Sequence, residues 1–131
     1  MKTNERIALD TSAVILYFRG QAAASELLGQ TQEIYLPLTA LGELYLGLER
    51  SEQKNKRIRE LDELLAFANV LYPNLKTAQL YARIKMGLLQ MGRPIPDNDI
   101  WIAAMALQAG LPLAARDEHF DFIENLDVVP L

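Results

Sequence analysis

Short apolar runs alternate along this chain with longer stretches whose apolar residues recur at helical spacing. This alternation limits the fold more than any other feature. Residues 7–9 (Ile-Ala-Leu) read as a buried strand ending in Asp10, and residues 34–36 (Ile-Tyr-Leu) as a second, stopped by Pro37. Residues 70–72, 111–115 and 127–129 complete the set. Between them, Leu41, Leu44, Tyr45 and Leu48 fall at i, i+3, i+4 and i+7, one face of a helix. Ile58, Leu61, Leu65 and Ala68 form a second stripe, and Tyr81, Ile84 and Leu88 a third that ends at Gly92-Arg93-Pro94. Ile100, Ala103, Ala104 and Leu107 form a fourth, closed by Gly110 and then Pro112. Strands alternating with helices need crossover connections. The chain therefore reads as α/β, with a mainly parallel central sheet flanked by helices on both faces. Its 131 residues suit one domain, residues 1–131, and are too few for two cores.

Composition narrows the function. The absence of cysteine removes disulfides, thiolate zinc sites and cysteine nucleophiles, and suits a cytoplasmic location. A single histidine, His119, excludes sites built on an imidazole pair. Residues 1–6 are polar and charged. The first apolar run is too short for a signal-peptide core and no stretch is long enough to span a bilayer, so no membrane role is expected. The formal net charge of −4 disfavours general nucleic-acid binding, because phosphate contacts need Lys and Arg.

The residues that carry chemistry are acidic. In open α/β sheets, ligands bind outside the carboxyl ends of the strands. Asp10 follows the first strand, and Asp117 stands two residues past the run 111–115. Asp97 and Asp99 open the helix after Pro96. Glu43 lies near the start of the helix after the second strand, on a face shared with Gly47. Each has a plainer reading. Asp10 and Asp97 suit N-caps, Asp99 suits the positive end of a helix dipole, Glu43 a solvated face and Asp117 a loop. Their joint placement at one sheet edge is less easily plain. If Asp10, Glu43, Asp99 and Asp117 converge there, each pair about 5 Å apart repels by roughly 3 kcal/mol at an effective dielectric of about 20. Such a group must take up protons or hold a cation. Oxygen donors alone select a hard ion, Mg²⁺ or Mn²⁺. An ion of that kind can activate water and neutralise a phosphodiester.

These residues sit in four segments: Leu9-Asp10-Thr11-Ser12-Ala13-Val14-Ile15; Leu41-Gly42-Glu43-Leu44-Tyr45-Leu46-Gly47 with Glu49-Arg50-Ser51; Ile95-Pro96-Asp97-Asn98-Asp99-Ile100-Trp101-Ile102-Ala103-Ala104; and Arg116-Asp117-Glu118-His119-Phe120. In order and at this spacing, across nearly the whole chain, they resemble the PIN-domain nucleases, specifically the VapC-type toxins of type II toxin–antitoxin pairs. By that resemblance Asp10, Glu43, Asp99 and Asp117 are the catalytic, metal-holding acids, with Asp10 and Asp99 the firmest ligands. Thr11 or Ser12 would orient Asp10 or touch phosphate. The resemblance implies a Mg²⁺- or Mn²⁺-dependent endoribonuclease that cuts RNA, commonly tRNA, to a 5′-phosphate and a 3′-hydroxyl. It also implies a homodimer silenced by a cognate antitoxin, with operator DNA bound only through the antitoxin. One position departs from the pattern: family members usually carry Thr or Ser where this chain has Ala115. The missing hydroxyl implies weaker metal binding or slower turnover, not loss of the site. The alternative reading is a catalytically weak binding module in an antitoxin–DNA repressor complex.

RNA phosphates need cations. Arg50, Lys54, Lys56, Arg57 and Arg59 crowd one stretch. It reads either as a phosphate-contacting arm or as a solvated helical hairpin paired with Glu49, Glu52 and Glu60. In the resembling family this stretch also contacts the antitoxin. Arg116 can steady a phosphate or pair with an acid. His119 reads as incidental, Trp101 and Phe120 as core or dimer contacts, and Tyr17 and Phe18 as a subunit face. A haloacid-dehalogenase-type phosphatase would need a second Asp where Ser12 stands, and a receiver domain would need paired acids at the first strand.

Overall fold

The computed structural model describes residues 5–131; residues 1–4, part of the polar start, lie outside the described residues. The chain runs β1 (Arg6–Leu9), α1 (Thr11–Phe18), α2 (Ala22–Gln30), β2 (Glu33–Pro37), α3 (Leu38–Glu49), α4 (Lys54–Leu65) and β3 (Asn69–Leu71). It continues with α5 (Leu75–Gln90), α6 (Asp97–Ala109), β4 (Leu113–Ala115), a 3-10 turn (Glu118–Phe122) and β5 (Val128–Pro130). The strands form one parallel sheet in the order β3-β2-β1-β4-β5, as the alternation of elements predicts.

Strand side chains alternate between two cores. Ile7 and Leu9 of β1, Ile34 and Leu36 of β2 and Ala114 of β4 meet Val14, Leu28, Leu41, Leu48, Leu61 and Leu64 from α1 to α4. Ala8, Leu113 and Ala115 meet Leu88 of α5, Ile100, Ile102 and Ala103 of α6, and Phe120 and Ile123. Both faces of β1 are thus covered, which explains its unbroken apolar run.

Several local expectations shift. No stripe announced α2, because Leu27 and Leu28 are its only large buried side chains. Tyr45 and Ile58, expected on buried stripes, are 49% and 40% exposed; Leu61 and Leu64 set the inward face of α4. β4 begins at Leu113, two residues later than the apolar run. Gly110 closes α6 in the left-handed region (φ 68°), and Pro112 has no N–H for the ladder. The Pro112 carbonyl nonetheless accepts from Ala8 N at 2.9 Å. β3 and β5 are each displaced by one residue from 70–72 and 127–129.

α6 is buried well beyond its predicted stripe, with Ile102, Met105 and Ala106 also enclosed. It packs on α5, whose first turn is capped by Asn74: its Oδ1 accepts from Lys76 N at 3.0 Å and Thr77 N at 3.3 Å. Gln108 of α6 donates to the same oxygen at 2.8 Å, joining the two helices. Phe120 is fully buried and anchors the 3-10 turn that starts just after Asp117. Phe120→Ala is expected to lower stability by about 3–5 kcal/mol in urea denaturation, and a loss under about 1 kcal/mol would mean that the core does not hold this turn.

Candidate active site

The sheet reverses its winding at β1: β2 and β3 lie on one side, β4 and β5 on the other. The connection leaving β1 packs into one core and the 3-10 turn after β4 into the other. Such a switch point leaves a crevice at the carboxyl ends of the strands. Into it come Asp10 after β1, Glu43 from the second turn of α3, Asp99 from the first turn of α6 and Asp117 after β4. A cleft of about 290 Å³ is lined by Asp10, Thr11, Ser12, Glu43, Asn98, Asp99 and Asp117, with Ile15 and Pro96. The four expected acids and both expected hydroxyl residues therefore share one cavity.

Asp10 is only 3% exposed. It caps α1, accepting from Ala13 N at 2.8 Å, so the capping reading holds while the residue also lines the cleft. Ser12 Oγ donates to its carboxylate at 2.7 Å. The same hydroxyl accepts from Arg116 N at 3.2 Å and so ties the end of β1 to the chain leaving β4. Burial pushes the Asp10 pKa up to about 6, against the pull of the Ala13 and Ser12 hydrogen bonds, while the charges of Asp99 and Asp117 add to the rise. Asp99 is half-buried and raised for the same first reason. The charge of His119 opposes that rise, and the charges of Glu43 and Asp117 reinforce it.

Two residues of this cluster escaped the sequence reading. His119 Nε2 lies 2.9 Å from Asp99 Oδ2, an ion-pair distance without an aligned hydrogen bond. His119 is thus no incidental surface residue, and its partner is Asp99 rather than the nearby Asp117. Its neighbour Phe120, drawn into the core, was the available clue. Asn98 Nδ2 donates to Glu43 Oε1 and to the Thr39 carbonyl, the latter at 3.1 Å. Only its position beside Asp99 could have suggested it.

Asp97 corrects another expectation. Pro96, not Asp97, occupies the N-cap position of α6. The Asp97 carboxylate accepts from Lys85 Nζ at 2.5 Å and from the Tyr81 hydroxyl at 2.9 Å, so it serves α5. The Lys85 bond first, then that from Tyr81, holds it below the usual carboxylate range.

The basic stretch is spread over the end of α3 and the first turns of α4. Arg50 is exposed, Lys54 lies 3.8 Å from Glu49, and Arg57 pairs with Glu60 at 2.8 Å. Surface pairs of this kind are weak, so these cations can change partner. Arg57 and Arg19 line a second cleft of about 240 Å³ that shares Glu43 with the first and is floored by Leu44, Leu48 and Leu61. Arg116 is exposed beside Asp117. Trp101 stacks on Tyr81 with centroids 4.3 Å apart. Tyr17 and Phe18 pack against the first core, and Ala115 is buried in the second.

The donor set fits a hard divalent cation: oxygen donors from carboxylates, two of them destabilised as charges by burial, and a buried Thr11 hydroxyl without a partner among the described residues. Among the described residues, no three acids or imidazoles stand close enough to enclose an ion as they are. Asp10, Glu43 and Asp99 are instead engaged by Ser12, Asn98 and His119. Among the described residues, no helix is long and apolar enough to cross a membrane.

Because Asp10 keeps its proton longer when folded, its ionisation removes stability as pH rises from the usual 3.8 through about 6. Asn caps a helix as well as Asp. In chelator at pH 8, Asp10→Asn is therefore expected to be more stable than wild type by on the order of 2 kcal/mol, with the gap closing toward pH 4. Denaturation curves that show no pH-dependent gap would contradict this.

A family model described as PIN domain matches residues 7–126. Ribonuclease VapC1 of Haemophilus influenzae (strain R2866) is 32% identical over 124 residues, covering 90% of this chain and 92% of that protein. The structure of VapBC-1 from nontypeable Haemophilus influenzae matches with a TM-score of 0.83 and 27% identity, over 95% of this chain and 97% of that one. VapBC2 from Rickettsia felis, bound to a DNA fragment from their promoter, matches with a TM-score of 0.88 over 96% and 98%; at 22% identity it speaks for the fold alone. With its acids at the switch point of a parallel sheet and matches spanning nearly its full length, the chain belongs to the PIN-domain family, alongside the VapC ribonucleases.

Proposed function

We propose that this protein is a Mg²⁺- or Mn²⁺-dependent endoribonuclease toxin that hydrolyses phosphodiester bonds of RNA, tRNA in particular, in the cytoplasm. The observation that carries the reading is the meeting of Asp10, Glu43, Asp99 and Asp117, from four separate parts of the chain, in one cleft. The relatives' name, ribonuclease, supports it. Asp10 and Asp99 would hold the cation most firmly, with Glu43 and Asp117 completing the set. When bound, the cation supplies charge neutralisation and Lewis acidity at the phosphate. Ser12 and the Ala13 N–H fix Asp10, and Thr11, which lines the same cleft, would turn its hydroxyl toward a phosphate oxygen. Water adds to phosphorus, the bond to O3′ breaks, and the products are a 5′-phosphate and a 3′-hydroxyl. Arg50, Lys54 and Arg116 contact flanking phosphates and offset the acidity of the chain.

A cognate antitoxin silences the toxin, and the apolar cleft beside Glu43 gives such a partner a surface to cover. The VapBC-1 pair among its structural neighbours supports such an antitoxin partner. The protein would form a homodimer and meet operator DNA only through the antitoxin. Two observations favour the weaker-enzyme alternative, a binding module in the repressor complex: Ala115 offers no hydroxyl, and the acids do not enclose an ion as they stand.

Cleavage of total tRNA by purified, antitoxin-free protein separates the two. Wild type with Mn²⁺ is expected to cut a discrete RNA, and chelator to stop it. Asp10→Ala should lose more than the roughly 100-fold that marks groups merely supporting a ligand. No cleavage by wild type, where a control metallonuclease cuts, would put the binding module ahead. For the arm, joint charge reversal of Arg50 and Lys54 is expected to weaken cleavage and flatten its salt dependence, by a log–log slope of about 0.7 per lost single-strand phosphate contact. Unaltered salt dependence would remove the arm from substrate binding.

A further inference from the structure

We infer that Asn98 is a positioning residue that holds Glu43 in the acid cleft. The inference rests on the metal-dependent reading above. Glu43 stands on an exposed face of α3, where a glutamate samples many rotamers. Among the described residues, the hydrogen bond its carboxylate accepts comes from Asn98. Asn98 is half-buried in the first turn of α6, next to Asp99.

The amide is itself fixed. Nδ2 carries two hydrogens, and one partner of each kind lies within reach: the Thr39 carbonyl at 3.1 Å and Glu43 Oε1. Thr39 and Glu43 are four residues apart on α3, so they share one face of the helix. The backbone bond sets where the amide stands, and the side-chain bond then sets where Glu43 points. One neutral donor thereby holds Glu43 in the cleft that Asp99, on the facing helix, also lines. An aspartate at position 98 would repel Glu43, and an aliphatic residue would leave it untethered.

The test is Mn²⁺ affinity without RNA, read from the free-ion signal in electron paramagnetic resonance. The proteins are wild type, Asn98→Ala, Glu43→Ala and the double variant. Asn98→Ala is expected to weaken binding about tenfold, within the range for groups that orient a ligand. The double variant is expected to bind no more weakly than Glu43→Ala, because Asn98 acts through Glu43. Denaturation of the same set in chelator reads the Thr39 bond separately, since that bond survives in Glu43→Ala. If Asn98→Ala does not fold, Asn98→Ser takes its place. Unchanged affinity in Asn98→Ala overturns the inference, as does a loss repeated in full on the Glu43→Ala background. Both results leave the metal reading standing. A wild type that binds no Mn²⁺ overturns that reading and this inference together.

Discussion

Strand β1 is hydrogen-bonded along both edges, to β2 and β4, and apolar on both faces. That double burial leaves it one register. A slip of one residue would exchange Ile7 and Leu9 with Ala8 between cores of different shape. Asp10 inherits the precision of the strand: its backbone N donates to the Ala114 carbonyl at 3.1 Å, so its carboxylate emerges at a set height beside the end of β4. The other acids come from elements that pack against this strand or its neighbours. The site is thus a consequence of the sheet, and the loops add only its rim.

Concentrating negative charge here has a cost that the fold only partly offsets. Asp10 caps α1, Asp99 lies in the first turn of α6, and Asp117 occupies the cap position of the 3-10 turn. Helix N-termini favour such charges by about 0.3–1 kcal/mol each. Ser12 and Asn98 each add a donor, and His119 stands at ion-pair distance from Asp99. Burial of the carboxylates outweighs these contributions, with the charges of neighbouring acids adding to it, and the raised pKa values of Asp10 and Asp99 record the imbalance. A divalent cation opposes all the acids at once, which no single side chain can do.

The same imbalance bears on RNA. A phosphate approaching an acidic cleft on a chain of net charge −4 is repelled until cations intervene. Two sources lie close together: the proposed metal and the basic stretch around α4. The pairs that Lys54 and Arg57 make are with surface glutamates, so exchanging those partners for phosphates breaks little. Arg57 lines the apolar cleft that shares Glu43. A partner seated there would meet both the arm and the edge of the site.

Alternation of apolar runs with helical stripes was enough to specify a parallel α/β sheet, because each period reports directly on local geometry. The end of a strand is visible in the same pattern, so Asp10 and Asp117 could be placed at the carboxyl edge, and the acids following Pro37 and Pro96 with them. Local patterns fail where a side chain's partner is distant in sequence. Asp97 and Asp99 look alike as first-turn acids, yet Asp97 turns to Lys85 on α5 and Asp99 to the cleft. His119 and Asn98 look ordinary until the burial of Phe120 and the meeting of α3 with α6 give them Asp99 and Glu43 as partners. By itself, the sequence determined the fold class and which acids stand at the carboxyl edge of the sheet, since periodicity and chain order carry that information. Only the tertiary structure decided which groups hold those acids, because hydrogen bonds between residues 55 apart in the chain depend on how whole helices pack.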